Sequence, residues 1–190
     1  MGTSSNASNR TRLHQLLAER SYQQREVTLA SGRKSNFYFD SKLTVLDAEG
    51  ADLTARVFFS AIERLPEFGE VKAVGGLELG SVPIGAAISV ISHRAGHPLS
   101  HLVIRKQAKA HGTQAAIEGA DLVAPGSTVV VVEDVVTTGG SSLRAAQRLV
   151  EAGYVVPTLV TLIDREEGGR DAIEGAGFGL VSLFTKSDFA

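Results

Sequence analysis

Apolar residues along most of the chain follow two alternating rhythms, one of period 3.6 and one extended, which predicts strands alternating with helices. Residues 1–10 (MGTSSNASNR) are rich in Ser, Asn and Thr and poor in apolar residues, and are expected to form a disordered tail. Leu13, Leu16 and Leu17 then recur at helical spacing, so a short amphipathic helix is expected from Thr11 to about Arg20. Residues 26–30 and 37–43 look extended, with Phe37 and Phe39 on one face; the turn-rich SGRKSN between them predicts a hairpin. In DAEGADLTARVFFSAIERL the apolar positions 53, 57, 58, 61, 62 and 65 keep a helical period. VKAVGG reads as a strand, GSVPIGAAISVIS as a helix and PLSHLVIR as a strand. After the interval KQAKAHGTQAAIEG the order repeats as strand 128–133, helix 141–152, strand 154–163, the loop DREEGGR, and a last helix and strand. This alternation predicts an α/β fold with a parallel sheet flanked by helices on both faces, built as a single domain over residues 11–190.

Composition narrows the chemistry. With 43% apolar and 21% charged residues, the 190-residue chain has ordinary globular usage and enough length for one substantial core. No uninterrupted apolar run is long enough to span a bilayer and the N-terminus lacks the apolar core of a secretory signal, so a cytoplasmic protein without a membrane partner is expected. The absence of cysteine excludes disulfides, thiolate nucleophiles and Cys-ligated zinc, leaving oxygen or imidazole to hold any metal. A formal net charge of −2 offers no global field for nucleic acid, so a small-molecule ligand is expected instead.

The stretch VVVVEDVVTTGGSS, residues 129–142, concentrates that chemistry. Its valines suit a strand buried on both faces, and its polar residues fall at the carboxyl end of that strand, where ligands bind in doubly wound sheets. Gly139 and Gly140 permit backbone conformations that turn several N–H groups toward one point, and the following helix start adds its positive dipole end. The hydroxyls of Thr137, Thr138, Ser141 and Ser142 supplement the amides, and Ser141 or Ser142 is a candidate helix cap. No lysine follows the glycines, so this is not a Walker A loop, and a monophosphate fits better than a triphosphate. Two carboxylates, Glu133 and Asp134, would repel that anion unless they face another part of the ligand, such as sugar hydroxyls or a magnesium hydrate. The bland alternative is a capped turn with solvated acids; the ordered combination of acids, glycines and hydroxyls argues against it.

Hydrophobic run, acidic pair, Val135 and Val136, then TTGGS resembles the phosphoribosyl-diphosphate (PRPP) motif of type I phosphoribosyltransferases. TLASGRKSNFYFDSKL resembles the N-terminal signature of orotate phosphoribosyltransferases, and RKQAKAHGTQAAIEG resembles their mobile catalytic loop. With VGGLELGSVPIG, the resemblance runs over almost the whole chain from about Leu13. It implies the type I fold with a small N-terminal hood, and Mg²⁺-dependent transfer of the 5-phosphoribosyl group from PRPP to orotate. The products are orotidine 5′-phosphate and diphosphate, in the synthesis of pyrimidine nucleotides. It further implies a homodimer whose loop serves the neighbouring subunit, with Mg²⁺ held mainly by PRPP and water. Lys109 and Asp134 would carry catalysis. PRPP would be bound by Arg105, Lys106, Lys109, His111, Glu133, Asp134, Val135, Val136, Thr137, Thr138, Gly139, Gly140 and Ser141. Orotate would lie against Tyr38, Phe39, Thr137 and Arg165, the last pairing with its carboxylate in a two-pronged contact. Two positions depart from some relatives, Ala30 and Gly80 standing where those carry lysine.

Physically, Arg105, Lys106, Lys109 and His111 gather positive charge on a segment with little apolar anchorage, bracketed by Gly112 and Gly119. Taken alone, that is a solvated basic loop; the resemblance makes it the site of the leaving diphosphate. Phe39 has a core reading, Thr137 a turn reading and Arg165 a surface reading beside these roles. His93, His97 and His101 share a four-residue spacing, but Gly96 and Pro98 interrupt a helix there, and a solvated loop is expected rather than a zinc site. GAGFG at 175–179 reads as the turn into the last strand. Two rival functions are a phosphoribosyltransferase for another base and a PRPP-sensing regulator that binds RNA without turnover; SGRKSNFYFD with RKQAKAHG argues against the first, and the net charge against the second.

Overall fold

Val129, Val130, Val131 and Val132 are all fully buried, because the strand that carries them is central to the main sheet. In the computed structural model, which describes residues 3–28, 34–106 and 117–189, that strand is β6 (Thr128–Val136). It lies between β3 (Val71–Leu77) and β7 (Thr158–Asp164) in a six-stranded sheet ordered β5-β4-β3-β6-β7-β8. The other members are β4 (Ser100–Ile104), β5 (Ile117–Glu118) and β8 (Gly179–Thr185); all neighbours pair in parallel except β4 with β5. Successive side chains of a strand point to opposite faces. Val130 and Val132 accordingly join one apolar cluster, and Val129 and Val131 the other.

The first cluster is covered by α1 (Thr3–Leu16), α3 (Ala48–Ile62) and α4 (Ser81–Arg94), through residues such as Leu13, Leu16, Phe58, Ile62, Ile84 and Ile88. The second is covered by α5 (Gly140–Glu151) and α6 (Gly169–Gly175), through Ala145, Ala146, Leu149 and Ile173. Both α3 and α5 therefore place their apolar stripe inward as the periodicity requires. Asp47 caps α3 by accepting the Gly50 N–H at 3.0 Å.

Apart from the main sheet, β1 (Tyr22–Thr28) and β2 (Lys34–Phe39) form an antiparallel pair in which Tyr22 lies opposite Phe39 and Gln23 opposite Tyr38. This is the expected hairpin, but its second strand ends at Phe39 and the chain turns into a short helix, α2 (Lys42–Val45). The helix expected from Thr11 begins at Thr3, within the stretch expected to be a disordered tail, and Asn6 donates to Ser60 Oγ of α3 at 2.6 Å. The strand expected over 154–163 starts only at Thr158, after Pro157, which has no N–H to give a ladder. The strand expected over 128–133 continues to Val136, so the acidic pair lies within β6, paired with β7 through Glu133 and Thr161.

Phe58 is wholly buried against the first cluster. Phe58→Ala is expected to cost about 3–5 kcal/mol of stability, read as a lowered urea midpoint with an unchanged slope.

Candidate active site

Near the carboxyl end of β6 the two acids take different partners. Glu133 turns toward α5, is 5% exposed, and accepts a hydrogen bond from Ser142 Oγ at 3.0 Å. Asp134 has further partners of its own: its Oδ2 accepts from Ser41 Oγ at 2.6 Å and its Oδ1 from the Val135 N–H at 2.9 Å, while its carboxyl stays within hydrogen-bond reach of Glu133. The alternation that buries the valines on both faces thus sends each carboxylate to a different set of partners. Burial, and then the neighbouring charge of Asp134, push the Glu133 carboxyl up to about 8, so near neutral pH it holds a proton.

Asp134 also abuts the β3–α4 turn. A Cβ built on Gly80 would lie 2.5 Å from Asp134 Oδ1, so only glycine lets that backbone approach the carboxylate. The same turn contains a cis peptide between Glu78 and Leu79. Around it opens a cavity of about 340 Å³, walled by Glu78, Leu79 and Gly80 from the turn, Glu133, Asp134 and Val135 from β6, Ser141 from α5, and Lys42 and Lys106 from two further sides. Among the described residues that line it, two cations thus face the carboxylates of Glu78 and Asp134 and the protonated carboxyl of Glu133.

After Val136 the chain bends through Thr137 and Thr138, half-buried and exposed respectively, into Gly139 at φ 79°, the left-handed residue that starts α5. The expected serine cap is replaced by this glycine: Ser142 gives its hydroxyl to Glu133 instead, and Gly139 and Gly140 leave the helix start without a side-chain cap. Gly169, at the start of α6, packs directly on this bend, where an added Cβ would meet Thr137 O at 2.8 Å and Gly139 N at 3.2 Å. Arg165 arrives beside the same bend by donating its N–H to Val136 O at 2.9 Å. It is 8% exposed, not a surface residue, and its guanidinium pairs with Glu167 Oε1 at 3.0 Å.

On the opposite flank, Arg105 pairs with Glu118 at 2.7 Å across β4 and β5. The Lys106 peptide is held from two sides: its N–H donates to Glu78 Oε1 at 2.8 Å, and Arg148 of α5 donates to the carbonyls of Arg105 and Lys106. Tyr38 and Phe39 end β2; Phe39 packs against the first core cluster and against Phe189, ring centres 5.7 Å apart. Glu133, Asp134, Val135, Ser141 and Lys106 thus meet at one cavity, whereas Arg105, Tyr38, Phe39, Val136, Thr137, Thr138, Gly139, Gly140 and Arg165 do not line it. Lys109, His111 and Ala30 lie outside the described residues.

Sequence reasoning missed Ser41, Lys42, Glu78 and Arg148. The first three stand inside stretches already singled out, but nothing in their spacing says that they turn toward β6. Among the described residues no cluster of three or more His, Asp or Glu side chains is arranged to hold a metal. The three spaced histidines diverge, His97 against the Phe68 ring at 4.2 Å and His101 within β4 beneath Gly85 rather than in a solvated loop, its pKa lowered by burial. GAGFG is the expected turn between α6 and β8. Among the described residues no helix is long and apolar enough to cross a membrane.

The raised Glu133 pKa has a thermodynamic sign. Between the unfolded value of 4.5 and the folded value of about 8 the folded state keeps a proton that the unfolded chain releases. Its contribution to stability is present in full below the lower value and lost as pH rises through the upper one. Urea titrations from about pH 5 to 9 should therefore show a steeper loss of stability in the native sequence than in Glu133→Gln, which stays neutral throughout. Parallel slopes would contradict a buried, protonated Glu133.

No protein-family model matches the chain. It is 45% identical to the orotate phosphoribosyltransferase of Sorangium cellulosum over 96% of this chain and 94% of that protein. The orotate phosphoribosyltransferase of Mycobacterium tuberculosis in complex with Fe(III) dicitrate superposes with a TM-score of 0.81 at 35% identity, covering 96% of this chain and 99% of the other. The M. tuberculosis enzyme in complex with 5-phospho-α-D-ribosyl 1-diphosphate gives 0.77 at 31% identity over 95% and 98% of the two chains. Near-full-length identity and a shared, mostly parallel sheet flanked by helices agree with the motif at the end of β6: the chain belongs to the orotate phosphoribosyltransferase family.

Proposed function

We propose that this chain transfers the 5-phosphoribosyl group of PRPP to orotate, giving orotidine 5′-phosphate and diphosphate, as a step of pyrimidine nucleotide synthesis in the cytoplasm. The observation that carries this reading is the placement of Glu133 and Asp134 on one cavity beside the Gly139–Gly140 turn, which sets acceptor oxygens next to an anion-binding bend. The bend from Thr137 to Ser141 takes the 5′-phosphate on its amides and hydroxyls. Asp134 accepts from the ribose hydroxyls, and Glu133 supports the same sugar from its buried position. Val135 and Val136 hold the two halves of the motif at the strand end.

In the reaction the bond from ribose C1 to the diphosphate oxygen breaks, the electron pair leaves with diphosphate, and an orotate ring nitrogen bonds to C1 as its N–H proton passes to the released diphosphate or to water. Negative charge grows on the leaving group, so the preplaced cations Arg105, Lys106, Lys109 and His111 stabilise the transition state more than the ground state. Asp134 lends negative charge beside the oxocarbenium-like ribose. No covalent nucleophile is required. Orotate enters between the Tyr38–Phe39 end of β2 and the Thr137–Arg165 side; Arg165 must share its guanidinium between Glu167 and the orotate carboxylate. The oxygen-rich wall of Glu133 and Asp134 fits a Mg²⁺ ion held chiefly by PRPP and water, since the described residues offer no closed protein cage. When bound, that ion offsets charge on the diphosphate.

Exposed Leu43, Leu46 and Leu79, at 50%, 67% and 67%, lie beside or among the cavity walls, and they support a homodimer in which the segment carrying Lys109 serves the neighbouring site. The partners are thus two small molecules and a second copy of the chain.

With PRPP and Mg²⁺ the protein should deplete orotate, followed by its ultraviolet absorbance, while hypoxanthine, adenine and uracil stay inert; turnover of another base instead would overturn the assignment. Lys109→Ala should lower kcat by about 100-fold or more while changing the dissociation constant of PRPP far less, because its charge acts late in bond cleavage. Equal losses confined to binding would contradict that role.

A further inference from the structure

We infer that Lys42, at the start of α2, is a diphosphate-binding residue of the site, an assignment that rests on the reading of the cavity as the PRPP site. Among the described residues, Lys42 and Lys106 are the cations that line the cavity, and they face the carboxylates of Glu78 and Asp134. A polyanion entering such a cavity meets repulsion from the carboxylates unless cations stand on more than one side of it. Lys106 supplies one side from the end of β4, its peptide fixed by Glu78 and Arg148. The β3–α4 turn supplies none, because at Gly80 the space for even a Cβ is taken by the Asp134 carboxylate. Among the described residues, the second cation on the cavity wall is Lys42 of α2.

The backbone of Lys42 is well placed for this task and its side chain is free to exchange partners. Ser41, 2% exposed, donates to Asp134 Oδ2 at 2.6 Å, and its carbonyl accepts the N–H groups of Thr44 and Val45 at 2.9 and 2.8 Å. The residue before Lys42 is thus fastened to the acidic pair itself. The ammonium group pairs with Asp40 at 2.7 Å, and the hydrogen bond to Asp40, with the charge of Asp134 beyond it, raises its pKa and keeps it charged. The Lys42 side chain is 51% exposed, and an ion pair that open to water is weak, so transfer of the ammonium from Asp40 to a diphosphate oxygen costs little.

Lys42→Met removes the charge and keeps the stem. It should raise both the KM for PRPP and the inhibition constant of inorganic pyrophosphate by about 10- to 100-fold, the range of one lost charge-assisted hydrogen bond. The KM for orotate and the binding of ribose 5-phosphate, which lacks the diphosphate, should move by no more than about threefold, and Lys42→Arg should recover most of the loss. Unchanged PRPP and pyrophosphate constants in Lys42→Met would overturn the inference, as would a loss shared equally by ribose 5-phosphate and orotate. Calorimetric titration of the native protein and Lys42→Met with pyrophosphate and Mg²⁺ decides the point even if the native protein fails to turn over orotate, a failure that would fall on the proposed function alone.

Discussion

The molecule is organised by one constraint: β6 occupies the middle of a sheet covered on both faces, so every side chain along it must be apolar until the strand leaves the core. Four valines meet that demand on both faces. Where the strand emerges, the same pleat that sorted valines between two clusters sorts two carboxylates between two environments. Both reach the cavity, but one is the more buried, bonded to a hydroxyl of α5 and protonated near neutrality, and the other is tied to the N-terminal segment. Charge repulsion between adjacent acids, which would make such a pair costly on a helix face, is eased by strand geometry and by the proton on Glu133.

Much of this order was legible from periodicity. The helices α3, α4 and α5 and strands β3, β4 and β6 follow directly from their apolar spacing, because for them local pattern and tertiary burial agree. The elements that escaped are those whose reasons are not local. The two-residue β5 exists because it pairs with the end of β4, and α2 exists because Ser41 is pulled toward Asp134, 93 positions away. The N-terminal helix reaches back to Thr3 despite a polar sequence, with Asn6 bonded to α3.

The site shows the same division. Glu133, Asp134 and the glycine bend announce themselves because they are contiguous, and contiguous motifs carry their own geometry. Lys42, Glu78 and Arg148 are silent in the sequence because each acts across the fold: on a cavity, on the N–H of Lys106, and on carbonyls at the end of β4. The serine expected to cap α5 shows the cost of local reasoning at a site. Ser142 falls inside the first turn of α5, past the capping position, and its hydroxyl donates to a buried carboxyl from the preceding strand.

Arg148 gives α5 a further significance. The helix begins at the glycine bend with Gly140 and reaches the carbonyls of Arg105 and Lys106 eight residues later, so it measures off a fixed span of about 12 Å between that bend and the segment after β4. A helix used in this way tolerates change on its outer face but not in its length. One residue inserted between Gly140 and Arg148 would swing the guanidinium by about 100° around the axis and leave both carbonyls without it, although the bend itself would be untouched. In α5, sequence can drift while residue count cannot.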